Sequence, residues 1–181
     1  MQLHRFLLVI KPNPALSAEV ERMKELLHAQ IGSFSGRNTV PHITLFFADM
    51  PSECEGDICV HIAKGLAGHP GFPLRYNGIN HFPDKRTIYI DPVEKDAIAT
   101  VRGPIITALK INETLRVAIR ETDHAHLTIA AGLKPAQFDT AWEILAPHVL
   151  LSNEQVTEVV LLKRPLKPGE RYDAVRSFPL E

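Results

Sequence analysis

One short pattern occurs twice in this chain, as Pro41-His42-Ile43-Thr44-Leu45 and as Ala125-His126-Leu127-Thr128-Ile129, with the two histidines 84 positions apart in 181 residues. A histidine and a threonine two residues apart on a β-strand project from one face. Each copy therefore calls for a strand that sets an imidazole beside a hydroxyl. Two copies at half-chain spacing call for a fold that repeats itself.

The apolar periodicity supports that repeat. Arg5 to Ile10 is a short apolar run of strand length. Asn13 caps and Pro14 opens a helix on which Leu16, Val20, Met23, Leu26, Leu27 and Ile31 recur at helical spacing until Gly32. Val40 to Phe47 reads as the first motif strand, and Pro51 to Leu66 as a helix with Ile58, Ile62, Ala63 and Leu66 on one stripe. Strands follow at Pro73 to Ile79 and Thr87 to Asp91, around a polar loop from Asn80 to Arg86. The order then starts again. Asp91-Pro92 caps a helix running to Lys110, in which Gly103-Pro104 predicts a kink or break, and a strand is expected at Leu115 to Ile119. His124 to Ala130 is the second motif strand. Pro135 opens a helix containing Phe138, Trp142 and Leu145, and strands at Thr157 to Lys163 and Tyr172 to Phe178 flank a turn from Pro165 to Gly169.

Each half thus reads as a motif strand, a helix and a two-stranded pair. The expected fold is α+β, with two similar lobes about a pseudo-twofold axis and one motif strand from each at the centre. No Gly/Ser-rich or charged linker divides the chain, so residues 1–181 are expected to form a single bilobal domain.

At 45% hydrophobic and 23% charged residues the composition is that of a folded, soluble protein. The net charge of −1 excludes an extended DNA footprint. It leaves open a nucleotide or an RNA end, where only one or two phosphates need partners. Cys54 and Cys59, five apart in a helical segment, do not face each other squarely and are not expected to form a disulfide. The N-terminus lacks the layout of a leader and no apolar run approaches about 18 residues, so no membrane association is expected and the reducing cytoplasm is the expected location.

The residue types in the motifs point to chemistry at phosphorus. When water opens a cyclic phosphodiester, the attacking water loses a proton and the departing ribose oxygen gains one. Two groups titrating near neutrality are needed on opposite sides, and histidine is the side chain that supplies them. The hydroxyls offer hydrogen bonds to the non-bridging oxygens as charge builds there. His42 and His126 are therefore the candidate base and acid, with Thr44 and Thr128 holding the phosphoryl oxygens. The scheme needs no metal or other cofactor. Two other readings compete: a module that grips a nucleotide or RNA end without chemistry, and a metal hydrolase using His42, His124 and His126. No phosphate-binding glycine loop or serine nucleophile elbow is present, so ATP-dependent ligase chemistry is not supported.

The pair His42-Ile-Thr44-Leu and His126-Leu-Thr128-Ile resembles the signature of the 2H phosphoesterases, in particular the branch of 2′-5′ RNA ligases and RNA 2′,3′-cyclic phosphodiesterases. The opening Arg5-Phe-Leu-Leu-Val-Ile-Lys-Pro, His81-Phe82-Pro83 before a strand, and the closing Tyr172 to Leu180 are similar as well. The resemblance implies a metal-independent, bilobal α+β protein whose lobes are mainly antiparallel sheets with helices outside and motif strands lining a central cleft, and a monomer is expected. It implies hydrolysis of 2′,3′-cyclic phosphate ends, commonly to a 2′-phosphate, and in some members a reversible, ATP-independent 2′-5′ joining of RNA ends. It also implies that Phe47 stacks on a base. One departure stands out: RNA-acting relatives often carry an arginine shortly after the second motif, where this chain reads Thr128-Ile-Ala-Ala-Gly-Leu133. Lys85, Arg86, Lys163, Arg164 and Arg171 are then the loop cations available.

Overall fold

The first strand, β1 (Leu3–Ile10), is apolar from Phe6 to Ile10 because that part is covered on both faces. Phe6, Leu8 and Ile10 enter the main core, while Leu7 and Val9 join a smaller cluster on the opposite side. The computed structural model containing it describes residues 2–122, 124–167 and 169–181. In α1 (Pro14–Ile31) the Asn13 side chain accepts from the Leu16 N–H at 2.9 Å, and Gly32 ends the helix at φ +73°. The buried stripe is Leu16, Val20, Met23, Lys24 and Leu27. Leu26, expected on it, is exposed, and Lys24 stands on it instead.

Then follow β2 (Ile43–Pro51), one 3₁₀ turn at Ser52–Cys54, α2 (Glu55–Leu66), β3 (Phe72–Phe82) and β4 (Thr87–Pro92). The helix expected from Pro51 starts later because β2 runs on to Pro51. On α2, Ala63 is exposed and Gly65 is buried. The reason is close packing: a Cβ on Gly65 would come within 2.5 Å of the Ile105 Cα. The loop expected from Asn80 is shorter than the sequence suggests. Asn80, His81 and Phe82 pair with Tyr89, Ile88 and Thr87, and the turn closes with Arg86 at φ +45°.

The next elements are α3 (Lys95–Lys110), α4 (Glu113–Ala118), β5 (Ile119–Glu121), β6 (Leu127–Ala130), α5 (Pro135–Leu145), β7 (Leu151–Val156), β8 (Glu158–Pro165) and β9 (Asp173–Pro179). Three sequence expectations are corrected here, and one strand is added. Asp91-Pro92 ends β4 and does not cap a helix, since Pro92 pairs with Tyr76. Pro104 lies inside an unbroken α3, where its buried neighbours Ile105 and Ile106 and the Gly65 contact hold the backbone. The strand expected at Leu115 to Ile119 is helical up to Ala118, because the Asn112 side chain accepts from the N–H groups of Thr114 (3.0 Å) and Leu115 (3.2 Å) and so caps a helix. The strand β7 is additional, a polar edge strand paired with β3. The turn expected at Pro165 to Gly169 includes Pro168, which lies outside the described residues.

All named strand pairs are antiparallel and form one nine-stranded sheet in the order β7-β3-β4-β6-β2-β1-β8-β9, with β5 beside β2. In place of two separate lobe sheets, the two motif strands join the halves through the pair Ile43↔Leu127. Reading outward from that pair, β2-β1-β8-β9 mirrors β6-β4-β3-β7. The exchange β1↔β4, β2↔β6, α1↔α3 and α2↔α5 also carries the α1·α5 packing onto α3·α2. The hairpin that follows the first motif, β3-β4, lies beside the second motif strand, and β8-β9 lies beside β1, so the two halves of the sequence are interlaced. The main core lies between the sheet and the five helices. Each fully buried Leu, Ile or Phe there contributes about 1.5–3 kcal/mol.

Candidate functional site

The two motifs match each other in more than sequence. His42 directly precedes β2 and His126 directly precedes β6, so each histidine lies one residue outside the strand on which it was expected. On β2 the partners run Val9↔Thr44 and Leu8↔Phe46, which leaves Leu45 unpaired. On β6 they run Tyr89↔Thr128 and Ile88↔Ala130, which leaves Ile129 unpaired. A β-bulge therefore follows the threonine of both motifs, and both bulge residues are fully buried in the core. The extra residue re-aims the strand, so that Thr44 and Phe47 share one face although they are three apart. Thr122, shortly before the second motif, donates its hydroxyl to the Thr44 carbonyl at 2.8 Å. That bond ties one motif to the approach of the other.

The imidazoles are held alike. His42 Nδ1–H donates to the Val40 carbonyl and His126 Nδ1–H donates to the His124 carbonyl, each at 2.7 Å and each to the residue two before. With Nδ1 engaged, Nε2 carries the lone pair of the neutral ring and the acid proton of the charged one. Burial lowers the pKa of both histidines from the ordinary 6.5. The carbonyl bonds oppose this shift. The charges of Lys24 and His126 depress His42 further, and those of His124 and Lys85 depress His126.

His42 from the first motif and Thr128 from the second line one cavity of about 190 Å³. That is well below the roughly 300–1,000 Å³ of pockets that enclose drug-sized ligands, and it suits a group of phosphate size. Its wall includes Ser35, Gly36 and Thr39 from the loop between α1 and β2, and Lys24 from α1. The loop is pinned by a bridge from Ser35 to Ala131 and by the Gln137 side chain, which donates to the carbonyls of Ile31 (2.9 Å) and Ser33 (3.2 Å). Lys24 is absent from the residues expected at the site. Its signal in the sequence was a charged residue on the apolar stripe of an amphipathic helix.

The remaining expected residues fall as follows. Phe47 packs beside the small cluster of Leu7, Val9, Val160 and Leu162, with the Arg5 guanidinium carbon 4.9 Å from its ring centroid and Arg5 paired to Asp49 at 2.6 Å. His124 lies in the loop before β6, 6.2 Å from the His126 ring and edge-on to Phe82 and Tyr89. Among the described residues no group of three His, Cys, Asp or Glu side chains is placed to hold a metal ion. Of the loop cations, Arg86 donates to the Leu133 carbonyl, Lys163 pairs with Glu55, and Arg164 stacks 5.2 Å from the Tyr172 ring centroid. Lys85 lies 5.5 Å from the Phe82 ring centroid, and Arg171 borders a second, neighbouring pocket. Cys54 and Cys59 are both free thiols. No helix among the described residues is long and apolar enough to cross a membrane.

A large antiparallel sheet with helices packed on it is the fold of the 2H phosphoesterases. Within that class, residues 12–167 match the 2′-5′ RNA ligase superfamily, and the chain belongs to that family. None of the curated proteins is similar enough in sequence to count as a relative. Among solved structures, TT0787 of Thermus thermophilus is similar with a TM-score of 0.69 at 16% identity, over 97% of both chains. Escherichia coli LigT in its apo form is similar with a TM-score of 0.65 at 16% identity, over 99% of both chains. LigT has also been solved with 3′-AMP, with a TM-score of 0.60 at 15% identity over 99% of both chains.

Proposed function

We propose that the protein is a metal-independent phosphoesterase that opens 2′,3′-cyclic phosphodiesters, with His42 and His126 as the acid–base pair. The observation that carries this reading is the symmetry of the two imidazoles. Each is fixed through Nδ1 to a carbonyl two residues back, and each is followed by a threonine and a bulge on a central strand. Pure binding would not need two proton-transfer groups in matched settings.

In the reaction, the neutral imidazole takes a proton from water at Nε2 as the water oxygen attacks phosphorus. The opposite imidazolium gives its Nε2 proton to the departing ribose oxygen as the P–O bond breaks. One ring gains a proton and the other loses one, so the pair is reset by proton exchange with solvent. Thr44 and Thr128 donate hydroxyl hydrogen bonds to the non-bridging oxygens, where charge accumulates. A base stacked on Phe47 would lie on the face that carries Thr44. Departure of the 3′ oxygen leaves a 2′-phosphate; with the 5′-hydroxyl of a second RNA end attacking in place of water, the same opening of the cyclic phosphate would form a 2′-5′ bond without ATP. The nucleotide bound by LigT lends support to a nucleotide or RNA-end substrate. The continuous sheet supports the two halves working as one unit; the proposed enzyme is a cytoplasmic monomer.

The test is to incubate the purified protein with a chelator and a panel of 2′,3′-cyclic nucleotides, cyclic-ended oligoribonucleotides and 2′-5′-linked dinucleotides, and to identify the products. A 2′-phosphate product is expected. No turnover of any panel member would overturn the reading.

A further inference from the structure

We propose that Lys24 is the cation of this phosphate site, its ammonium meeting the phosphoryl group that His42 and Thr128 face across the cavity. The inference rests on the phosphoesterase reading above and adds a residue that neither motif contains. Lys24 is 1% exposed, on the buried stripe of α1 between Val20 and Leu27, where an apolar side chain would pack without penalty. An ammonium removed from water there destabilises the fold unless it is paired. Two partners are present: the Thr39 carbonyl accepts from Nζ, and Glu21 Oε1 lies 3.2 Å away. A lysine ammonium has three donors, so one remains for a phosphoryl oxygen.

Three observations make that oxygen the natural third partner. Lys24 lines the 190 Å³ cavity together with His42 and Thr128. Its charge already acts on His42, holding that imidazole toward its neutral form. No basic residue occupies 129–133 after the second motif, so the positive charge needed against a developing phosphorane dianion must come from elsewhere in the fold. Burial holds the Lys24 pKa below its ordinary value, while Glu21 acts in the opposite direction. A bound anion would add to the effect of Glu21.

The competing role is purely structural, a clamp on Thr39 that steadies the loop holding Val40 and hence His42. Two variants separate the roles: Lys24→Met removes charge and donor, and Lys24→Gln removes the charge but keeps a donor for the Thr39 carbonyl. Inorganic phosphate is the probe, followed by phosphorus NMR and by inhibition of 2′,3′-cyclic nucleotide turnover. Both variants are expected to remain folded, to bind phosphate at least about tenfold more weakly, and to lose about 10²–10³-fold in kcat/KM. The limb of their pH profile that reports His42 should move upward, because His42 no longer titrates against a neighbouring charge. A Lys24→Gln variant with unchanged phosphate affinity would overturn the proposal. So would a wild type that does not bind phosphate. Loss of turnover in His42→Ala with full turnover in Lys24→Met would sink this inference and leave the phosphoesterase reading standing. Phosphate binding lost in the Lys24 variants, with no turnover by the wild type, would do the reverse.

Discussion

At each motif histidine the Nδ1–H is committed to a backbone carbonyl, and both rings titrate below 6.5 because burial disfavours their charged form. Acid–base catalysis by the pair needs one ring neutral and one charged. The active microstate is therefore most populated between two values that both lie under 6.5. The profile of kcat/KM against pH should be a bell with its crest on the acid side of neutrality, falling about tenfold or more by pH 8 as the required imidazolium is lost. A crest at or above pH 7 would contradict the assignment. The repeat of the motif was legible in the sequence, since two polar pairs at half-chain spacing have no shared structural reason to match. Lys24 was not, because its side chain reaches the cavity from a helix whose period looks like ordinary core packing. Its partner Thr39 becomes a neighbour only once the 33–40 loop has folded back.

The elements set those side chains through two small irregularities and two helix details. The bulges at Leu45 and Ile129 are invisible in an alternating apolar pattern, because the unpaired residue is as buried as its neighbours. Strand content was legible at β1 and at the motif strands, where apolar runs are bounded by Pro and Gly. It failed at β7, whose residues Leu151-Ser-Asn-Glu-Gln-Val156 are too polar to read as a strand and need an edge position to form one. It failed again at α4, where the cap from Asn112 outweighs a strand-like stretch. Asn112→Ala should lower stability by about 1 kcal/mol, the ordinary worth of such a cap, and an unchanged denaturant midpoint would show that the cap does not hold α4. Gly65→Ala gains about 1 kcal/mol of helix propensity. It also drives a methyl against the Ile105 backbone at 2.5 Å. The variant should be less stable by roughly 1–3 kcal/mol. A midpoint equal to or above that of the wild type would mean that α2 and α3 do not approach each other as described.

Across the whole molecule the repeat is one of topology. Four strands on each side of the Ile43↔Leu127 pair follow the same order outward, yet each side draws strands from both halves of the sequence. The half-chain spacing of the motifs was enough to expect two related parts. It could not show that the hairpins cross over, because local periodicity carries no information about which neighbour a strand chooses. The half-buried histidines also couple the site to global stability. His42, His124 and His126 all have lowered pKa values in the fold, so below 6.5 the unfolded chain binds protons that the native state refuses. Glu154, raised by burial, works in the opposite sense but is one group against three. Stability should therefore fall from about pH 7.5 to about pH 5.5, while activity rises from about pH 8 toward its crest below pH 6.5, which denaturant titrations and rates on one sample would show together. The most direct test of the central claim is kcat/KM for a 2′,3′-cyclic nucleotide in the presence of a chelator, measured on the wild type, His42→Ala and His126→Ala with folding checked by circular dichroism. The expected result is full wild-type activity with chelator and a loss of about 10²–10⁴-fold in each variant. Either folded variant turning over within about threefold of the wild type, or wild-type activity abolished by the chelator and restored by zinc, would contradict it.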